Sequence, residues 1–230
     1  MPVTNRLPEP PDLEAAILAG GLSQRMGSDK ARLRLHGRTL LAWTRRVAHA
    51  AQLPVRVVRR DLVPRCGPLG GIYTALVRTR ARAVLFLPCD MPLLRPELLH
   101  RLLVARRPHR PAVFLEDDGR VGFPFVLPRE VAPVVRREID ARRWSLQQLA
   151  DTLDARRVRV RAAERPQLLN ANTPDTLARL RRGLKPNLIV TKAGKRGVKT
   201  RTDLERDARR ISPKAAPRVN FTAAMRDLKK

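Results

Sequence analysis

Apolar residues along the chain fall into two kinds of pattern. Short continuous runs bounded by Gly, Pro or polar residues are typical of strands that are covered on both faces. They predict strands at 14–18, 83–87 and 112–115, and the alternating residues 55–59 predict a further strand. Between these runs, apolar positions recur at the three- and four-residue spacing of one helix face. They predict helices at 38–52, 71–80 and 98–106. This alternation predicts an α/β domain with a mostly parallel sheet and helices on both faces.

The second half of the chain continues this order and then changes. It predicts a hairpin arm at 119–127, helices near 129–139 and 145–152, a strand at 158–161 and a last helix that begins at Pro174. Beyond about residue 184, Lys, Arg, Thr and Pro dominate and apolar residues are scattered. We therefore divide the chain into a flexible leader at 1–12, one domain at 13–184 and a basic, flexible tail at 185–230.

The charge balance raises nucleic-acid binding as an alternative function. The chain has 48 Lys and Arg against 21 Asp and Glu, a formal net charge of +27, and such an excess favours anionic partners. The arginines are spread over predicted helix faces and loops, however, and one Tyr, two Trp and five Phe offer few rings for base stacking. We favour anionic small-molecule substrates and keep a basic nucleic-acid-binding protein with a degenerate domain as the alternative from a different class.

The sequence also indicates where such a protein would work. No apolar run approaches the roughly 20 residues that a membrane-spanning helix needs, and the proline-rich N-terminus lacks the pattern of a secretory signal. The two cysteines, Cys66 and Cys89, lie in different segments without a Cys-x-x-Cys spacing. We therefore expect a reduced, cytoplasmic protein that does not enter a membrane.

A glycine-rich segment follows the first predicted strand. Residues 18–30 read Leu-Ala-Gly-Gly-Leu-Ser-Gln-Arg-Met-Gly-Ser-Asp-Lys. Gly20 and Gly21 allow a positive φ and a close approach of the backbone to a ligand. Exposed N–H groups of such a loop can bind phosphate oxygens, and Arg25 and Lys30 can neutralise the phosphate charge. The spacing fits neither the Walker loop nor the dinucleotide fingerprint, so we predict a phosphate-binding loop of another type.

Acidic residues follow two other predicted strands. Asp90 stands in Pro-Cys-Asp-Met-Pro, directly after the strongest strand, where a carboxylate can hold Mg²⁺ together with phosphate oxygens and water. Asp61 precedes a second glycine turn, Gly-Pro-Leu-Gly-Gly at 67–71, which leads into a helix. Parallel sheets bind ligands at the carboxyl ends of their strands, so these residues are expected at one edge of the sheet.

The glycine-rich string resembles the signature of nucleotidyltransferases that act on sugar phosphates and on the molybdenum cofactor. The molybdenum cofactor guanylyltransferase family is the most similar. The resemblance covers roughly 15–182 and includes Pro-Cys-Asp-Met-Pro, the turn at 67–71 and Asn-Ala-Asn-Thr-Pro at 170–174. It implies a three-layer, Rossmann-like nucleotidyltransferase fold. It also implies a Mg²⁺-dependent transfer of GMP from GTP to a molybdopterin-type acceptor, with release of pyrophosphate.

The resemblance further implies roles for individual residues. The nucleotide would be held by Leu18, Ala19, Gly20, Gly21 and Asp61. The reacting triphosphate would be neutralised by Lys30 and Arg25, and Mg²⁺ would be bound by Asp90. The element at 170–174 has a local explanation as well, because Thr173 can cap the last helix and Pro174 suits its first turn.

One departure leaves the base open. Members of the family have a nucleotide-binding asparagine in the region of 55–61, but here that segment is short and contains Arg59 and Arg60. A cytidylyltransferase, or a sugar-phosphate nucleotidyltransferase, is therefore the alternative within the same chemistry. The basic tail adds a further hypothesis, that it docks on an acidic protein partner.

Overall fold

The computed structural model describes residues 12–20, 31, 33–107, 110 and 112–183. Gly21, Arg25, Lys30 and the predicted tail lie outside the described residues, as does the leader up to residue 11. The strands are β1 (Leu13–Leu18), β2 (Arg34–Leu35), β3 (Arg38–Thr39), β4 (Val55–Val58), β5 (Ala83–Pro88), β6 (Val113–Asp117), β7 (Arg120–Pro128) and β8 (Arg156–Arg159). The helices are α1 (Leu40–Ala50), α2 (Pro68–Arg78), α3 (Pro96–Ala105), α4 (Ala132–Asp140), α5 (Leu146–Thr152) and α6 (Pro174–Gly183).

The main sheet has six strands in the order β4-β1-β5-β7-β6-β8. The pairs β1–β4, β1–β5 and β6–β8 are parallel, and β7 is antiparallel to both β5 and β6. The predicted mostly parallel sheet is confirmed. The hairpin predicted at 119–127 exists, but its second strand is not a peripheral arm. Residues 124–128 of β7 are buried in the middle of the sheet, and only the first residues of the strand extend towards the hairpin turn.

Both faces of the sheet are covered, which produces three layers. Alternate residues of β1 belong to different cores, because successive side chains of a strand point to opposite faces. Ala15 and Ile17 pack with α1 and α3, whereas Ala16 packs with α2, α4 and α5. The aromatic rings of Phe86 and Phe125 stack within the second core at a centroid distance of 5.0 Å. Within the described ranges, no helix is long and apolar enough to cross a membrane.

Helices α1 and α2 begin at other residues than the pattern predicts. The segment 34–39 forms the small β2–β3 hairpin around Gly37, and α1 starts after it because the Thr39 side chain accepts a hydrogen bond from Ala42 N at 3.1 Å. Helix α2 starts at Pro68, three residues before the predicted position. Pro suits the first turn of a helix, since no intrahelical bond needs its missing N–H. The Gly-Pro pair is therefore the start of α2 and not a loop before it.

Candidate functional site

Three chain segments leave the sheet side by side at the carboxyl ends of its parallel strands. In the sheet, Leu18 at the end of β1 is in register with Val58 of β4 and Pro88 of β5. The pairing continues one residue further on each side, because Ala19 N donates to Val58 O at 2.8 Å and Cys89 N donates to Leu18 O at 3.3 Å. The glycine-rich loop therefore begins between the segment that leads to Asp61 and the segment that carries Asp90.

Gly20 is in close contact with the end of β4. A Cβ added to Gly20 would lie 2.7 Å from the carbonyl oxygen of Arg59, closer than Cβ atoms in real structures approach such an atom. The φ angle of Gly20 lies outside the left-handed region, so the expectation of a positive φ is wrong for this residue. Gly20 is required because the loop must pass directly beside β4. This contact also places Arg59 and Arg60, both exposed, at the rim of the site.

Asp61 is half-buried against the first turn of α2. A Cβ added to Gly70 would lie 3.0 Å from Asp61 Oδ2, and one added to Gly71 would lie 3.4 Å from Asp61 Oδ1 and 3.2 Å from Leu18 Cδ2. Asp61 and Leu18 therefore meet at the same point of the helix. Burial raises the pKa of the Asp61 carboxyl above its ordinary value, because desolvation disfavours the charged form.

The loop between Asp61 and α2 is held by one threonine. Thr74 is buried, accepts a hydrogen bond from Leu62 N at 2.8 Å and donates one to Gly70 O at 2.7 Å. Cys66, also buried, donates its S–H to Val63 O at 3.0 Å. Burial and the nearby Asp61 raise the pKa of the Cys66 thiol. A neutral, buried thiol is a packing residue rather than a nucleophile.

Asp90 is half-buried directly after β5 and lies beside the late asparagine-rich element. Its carbonyl oxygen accepts a hydrogen bond from Ala171 N at 2.8 Å, so the backbone of 170–172 lies against Asp90. Sequence reasoning favoured a structural role for this element and left a supporting role beside the site open. The structural role is confirmed, because Thr173 Oγ1 accepts from Thr176 N at 3.1 Å in the first turn of α6. The contact with Asp90 was missed, since nothing local indicates a pairing between segments so far apart in the chain.

The described residues fit a metal that is shared with a substrate. They contain no group of three or more His, Cys, Asp or Glu side chains that could hold a metal ion on its own. Mg²⁺ in nucleotide-dependent enzymes needs only one or two carboxylates, since phosphate oxygens and water complete its shell. Asp90, half-exposed at the edge of the sheet where a ligand would lie, has the chemistry and the position for such a site.

The sequence is similar to proteins of one family. The family model described as MobA-like NTP transferase domain matches residues 15–61 and 43–159. The molybdenum cofactor guanylyltransferase of Xanthomonas euvesicatoria pv. vesicatoria (strain 85-10) is 36% identical over 177 residues, which are 71% of this chain and 92% of that protein. The similarity therefore extends over nearly the whole length of this relative.

Solved structures share the fold. Molybdopterin-guanine dinucleotide biosynthesis protein A from Archaeoglobus fulgidus superposes with a TM-score of 0.56 and 20% identity, over 74% of this chain and 97% of that one. A protein of Mycobacterium tuberculosis H37Rv, solved in complex with manganese, has a TM-score of 0.51 and 20% identity, over 75% of this chain and all of that one. These superpositions confirm the nucleotidyltransferase type of fold that the sequence predicted.

Proposed function

The chain belongs to the MobA-like NTP transferase family and is a nucleotidyltransferase, and we propose that it transfers GMP from GTP to a molybdopterin-type acceptor. The product would be a molybdopterin guanine dinucleotide, and pyrophosphate would be released. The name of the Xanthomonas relative favours GTP and a molybdenum cofactor as the substrates. A cytidylyltransferase is less well supported, although the pair Arg59 and Arg60 stands where the resemblance led us to expect an asparagine.

One observation carries the proposal. Leu18 ends β1, and Asp90 follows β5, the parallel strand beside β1. The two chain segments are joined by a hydrogen bond that Cys89 N donates to Leu18 O at 3.3 Å. A triphosphate bound to the backbone N–H groups of the loop that begins at Leu18 would therefore be within reach of the Asp90 carboxylate. On the other side of β1, Asp61 meets Leu18 at Gly71, which favours a nucleotide that lies across the end of β1.

The chemistry requires positioning and charge neutralisation more than a reactive side chain. An oxygen of the acceptor's terminal phosphate attacks the α-phosphorus of GTP in line, and the bond to pyrophosphate breaks. Asp90 would hold Mg²⁺, which supplies electrostatic stabilisation to the transferring phosphate when it is bound. Loop N–H groups, Arg25 and Lys30 would add to that stabilisation. No covalent enzyme intermediate is needed, because an ionised phosphate is already a nucleophile.

The choice of metal is part of the proposal. The manganese complex of the mycobacterial neighbour supports a divalent cation, and Mg²⁺ suits a site made of one carboxylate and phosphate oxygens. We therefore expect activity with Mg²⁺, loss of activity after chelation, and recovery when the ion is added back.

Incubation of the purified chain with a molybdopterin-type acceptor, Mg²⁺ and each of the four nucleoside triphosphates tests the proposal. Release of pyrophosphate is measured in each case. We expect turnover with GTP and little with the other three. A preference for CTP would replace the assignment of the base while keeping the reaction, and turnover of a sugar phosphate in place of the molybdopterin-type acceptor would replace the acceptor. Absence of pyrophosphate with all four triphosphates would contradict the proposed reaction.

A further inference from the structure

Trp144 is a large aromatic side chain that is left exposed near the candidate nucleotide site. The chain contains two tryptophans. Trp43 is 4% exposed and donates its Nε1 hydrogen to Leu35 O at 2.9 Å, whereas Trp144 is 42% exposed. A tryptophan ring carries more apolar area than almost any other side chain. In a chain with 3% aromatic residues, an exposed ring beside a ligand site is a candidate for ligand contact.

The position of Trp144 follows from its contact with Gly67. Trp144 lies in the loop between α4 and α5, and a Cβ added to Gly67 would lie 3.8 Å from both the Cβ and the carbonyl oxygen of Trp144. Gly67 directly precedes α2. Gly71, where Leu18 and Asp61 meet, is four residues further, which is about 6 Å along the helix axis at 1.5 Å per residue. Trp144 is therefore at the same end of α2 as the proposed nucleotide residues.

The backbone and the ring of Trp144 are held in place. The ring Nε1 donates to Ile139 O at 3.3 Å, at the end of α4. On one side of Trp144, Arg143 donates two hydrogen bonds to the buried Glu138, and on the other side the Ser145 side chain accepts from Gln147 N at 3.2 Å. A side chain that is restrained before binding loses little conformational entropy when a ligand stacks on it.

We propose that Trp144 stacks on the base of the bound nucleotide and thereby positions it, an inference that rests on the proposed function. A purine base is planar and has the large π-face that an indole ring prefers as a partner. The nucleotide is the favoured occupant, because Leu18 and Asp61 are the residues proposed to bind it. Stacking acts on binding and not on the reacting phosphate, so Trp144 affects the affinity for GTP much more than the rate of the chemical step.

Tryptophan fluorescence tests the proposal separately from activity. GTP titrated into the wild-type protein in the presence of Mg²⁺ should change the emission in a saturable way, and inorganic tripolyphosphate, which has no base, should not. In W144F, where the buried Trp43 is the remaining emitter, GTP should cause no change. A GTP-dependent change of the same size in W144F would overturn the proposal, and so would a change in wild type that follows the acceptor but not GTP.

Kinetics give the second readout. Base stacking lost on substitution by alanine typically weakens binding by about tenfold, so W144A should raise the KM for GTP by about that factor with kcat within about twofold. W144F should restore most of the affinity. V104A, which shortens a similarly exposed side chain on α3, is the matched control and should leave the KM unchanged. If W144A still releases pyrophosphate and its KM for GTP is unchanged, the proposed stacking role of Trp144 is overturned. Absence of release with every triphosphate would contradict the proposed reaction instead.

Discussion

Acidic side chains that are buried or half-buried occur in two settings among the described residues. In the scaffold, Glu14 is 7% exposed and accepts hydrogen bonds from Arg56 and from Thr79, and Glu138 is 1% exposed and accepts two from Arg143. At the site, Asp61 is half-buried and its carboxyl faces the glycines of α2.

The difference appears in the pKa values. Hydrogen bonds from Arg143 lower the pKa of Glu138 in spite of its burial, whereas burial raises the pKa of Asp61. Glu138 is stabilised in its charged form by Arg143. The charged form of Asp61 is disfavoured by burial. Substitutions of both kinds of acid, and of Gly20 at the site, test this contrast.

The largest effect is expected for D90N at the site. The substitution keeps the size of the side chain but removes the charge proposed to hold the divalent metal. Loss of one such electrostatic contact typically lowers kcat by about 10²- to 10³-fold, while the Tm should stay close to that of wild type. Asp154, an exposed aspartate paired with Arg110, provides the control D154N. Near-normal turnover of D90N would contradict the role of Asp90.

Gly20→Ala tests whether the site depends on the close approach of its loop to β4. The added Cβ would lie 2.7 Å from the Arg59 carbonyl oxygen, and backbone cannot rotate away as a flexible side chain would. We expect a loss of about 1–3 kcal/mol in the free energy of unfolding and a weaker affinity for GTP by calorimetry. In the control G122A, the new Cβ has no neighbour within 4 Å. Equal stability and affinity in G20A and G122A would show that the loop moves away from β4 without cost.

The sequence predicts the parts of the site that follow directly from the strand pattern. Leu18 and Asp90 could be placed at one edge because each stands at or just after a short apolar run, and parallel neighbours end at the same edge. The order of the strands could not be read in this way. Residues 119–127 have the same pattern whether β7 is a peripheral arm or a central antiparallel strand. Only the pairing of β7 with β5 shows that the strand is central.

Long-range contacts account for the remaining differences. The hydrogen bond from Ala171 to Asp90 and the contact between Trp144 and Gly67 join segments that are far apart in the chain. Neither contact leaves a local signal in composition or periodicity. The roles given to Gly21, Arg25 and Lys30 stay predictions, as do the binding roles of Leu18, Ala19, Gly20, Asp61 and Asp90.

Among the scaffold acids, E138Q should reduce stability in a pH-dependent way. The pKa of Glu138 is lowered in the folded state, below the ordinary glutamate value of about 4.3. Ionised Glu138 therefore stabilises the fold above that value, and the stabilisation is lost as the pH falls through the folded-state pKa. Because Arg143 is half-exposed, we expect a cost of about 1–2 kcal/mol near neutral pH.

Urea unfolding of wild type and E138Q at neutral pH and near pH 3–4 measures this cost. The difference between the two proteins should be smaller at the acidic pH. The control E130Q changes an exposed glutamate and should have little effect at either pH. A difference that is independent of pH would mean that Glu138 stabilises the fold by packing and not by its charge.

D61N is expected to have the smallest effect on stability, and in the opposite direction. A carboxyl whose pKa is raised in the folded state binds its proton more tightly there than in the unfolded chain. The fold is then most stable below the unfolded-state pKa of about 3.9 and loses stability as the pH rises through the folded-state value. Asparagine carries no charge, so D61N should raise the free energy of unfolding near neutral pH by some tenths of a kcal/mol, a figure reduced for the partial exposure of Asp61.

The same variant should bind GTP more weakly, which calorimetry with Mg²⁺ would measure. If D61N instead destabilised the fold and bound GTP normally, Asp61 would be a scaffold acid like Glu138, and the contrast between the two settings would not hold.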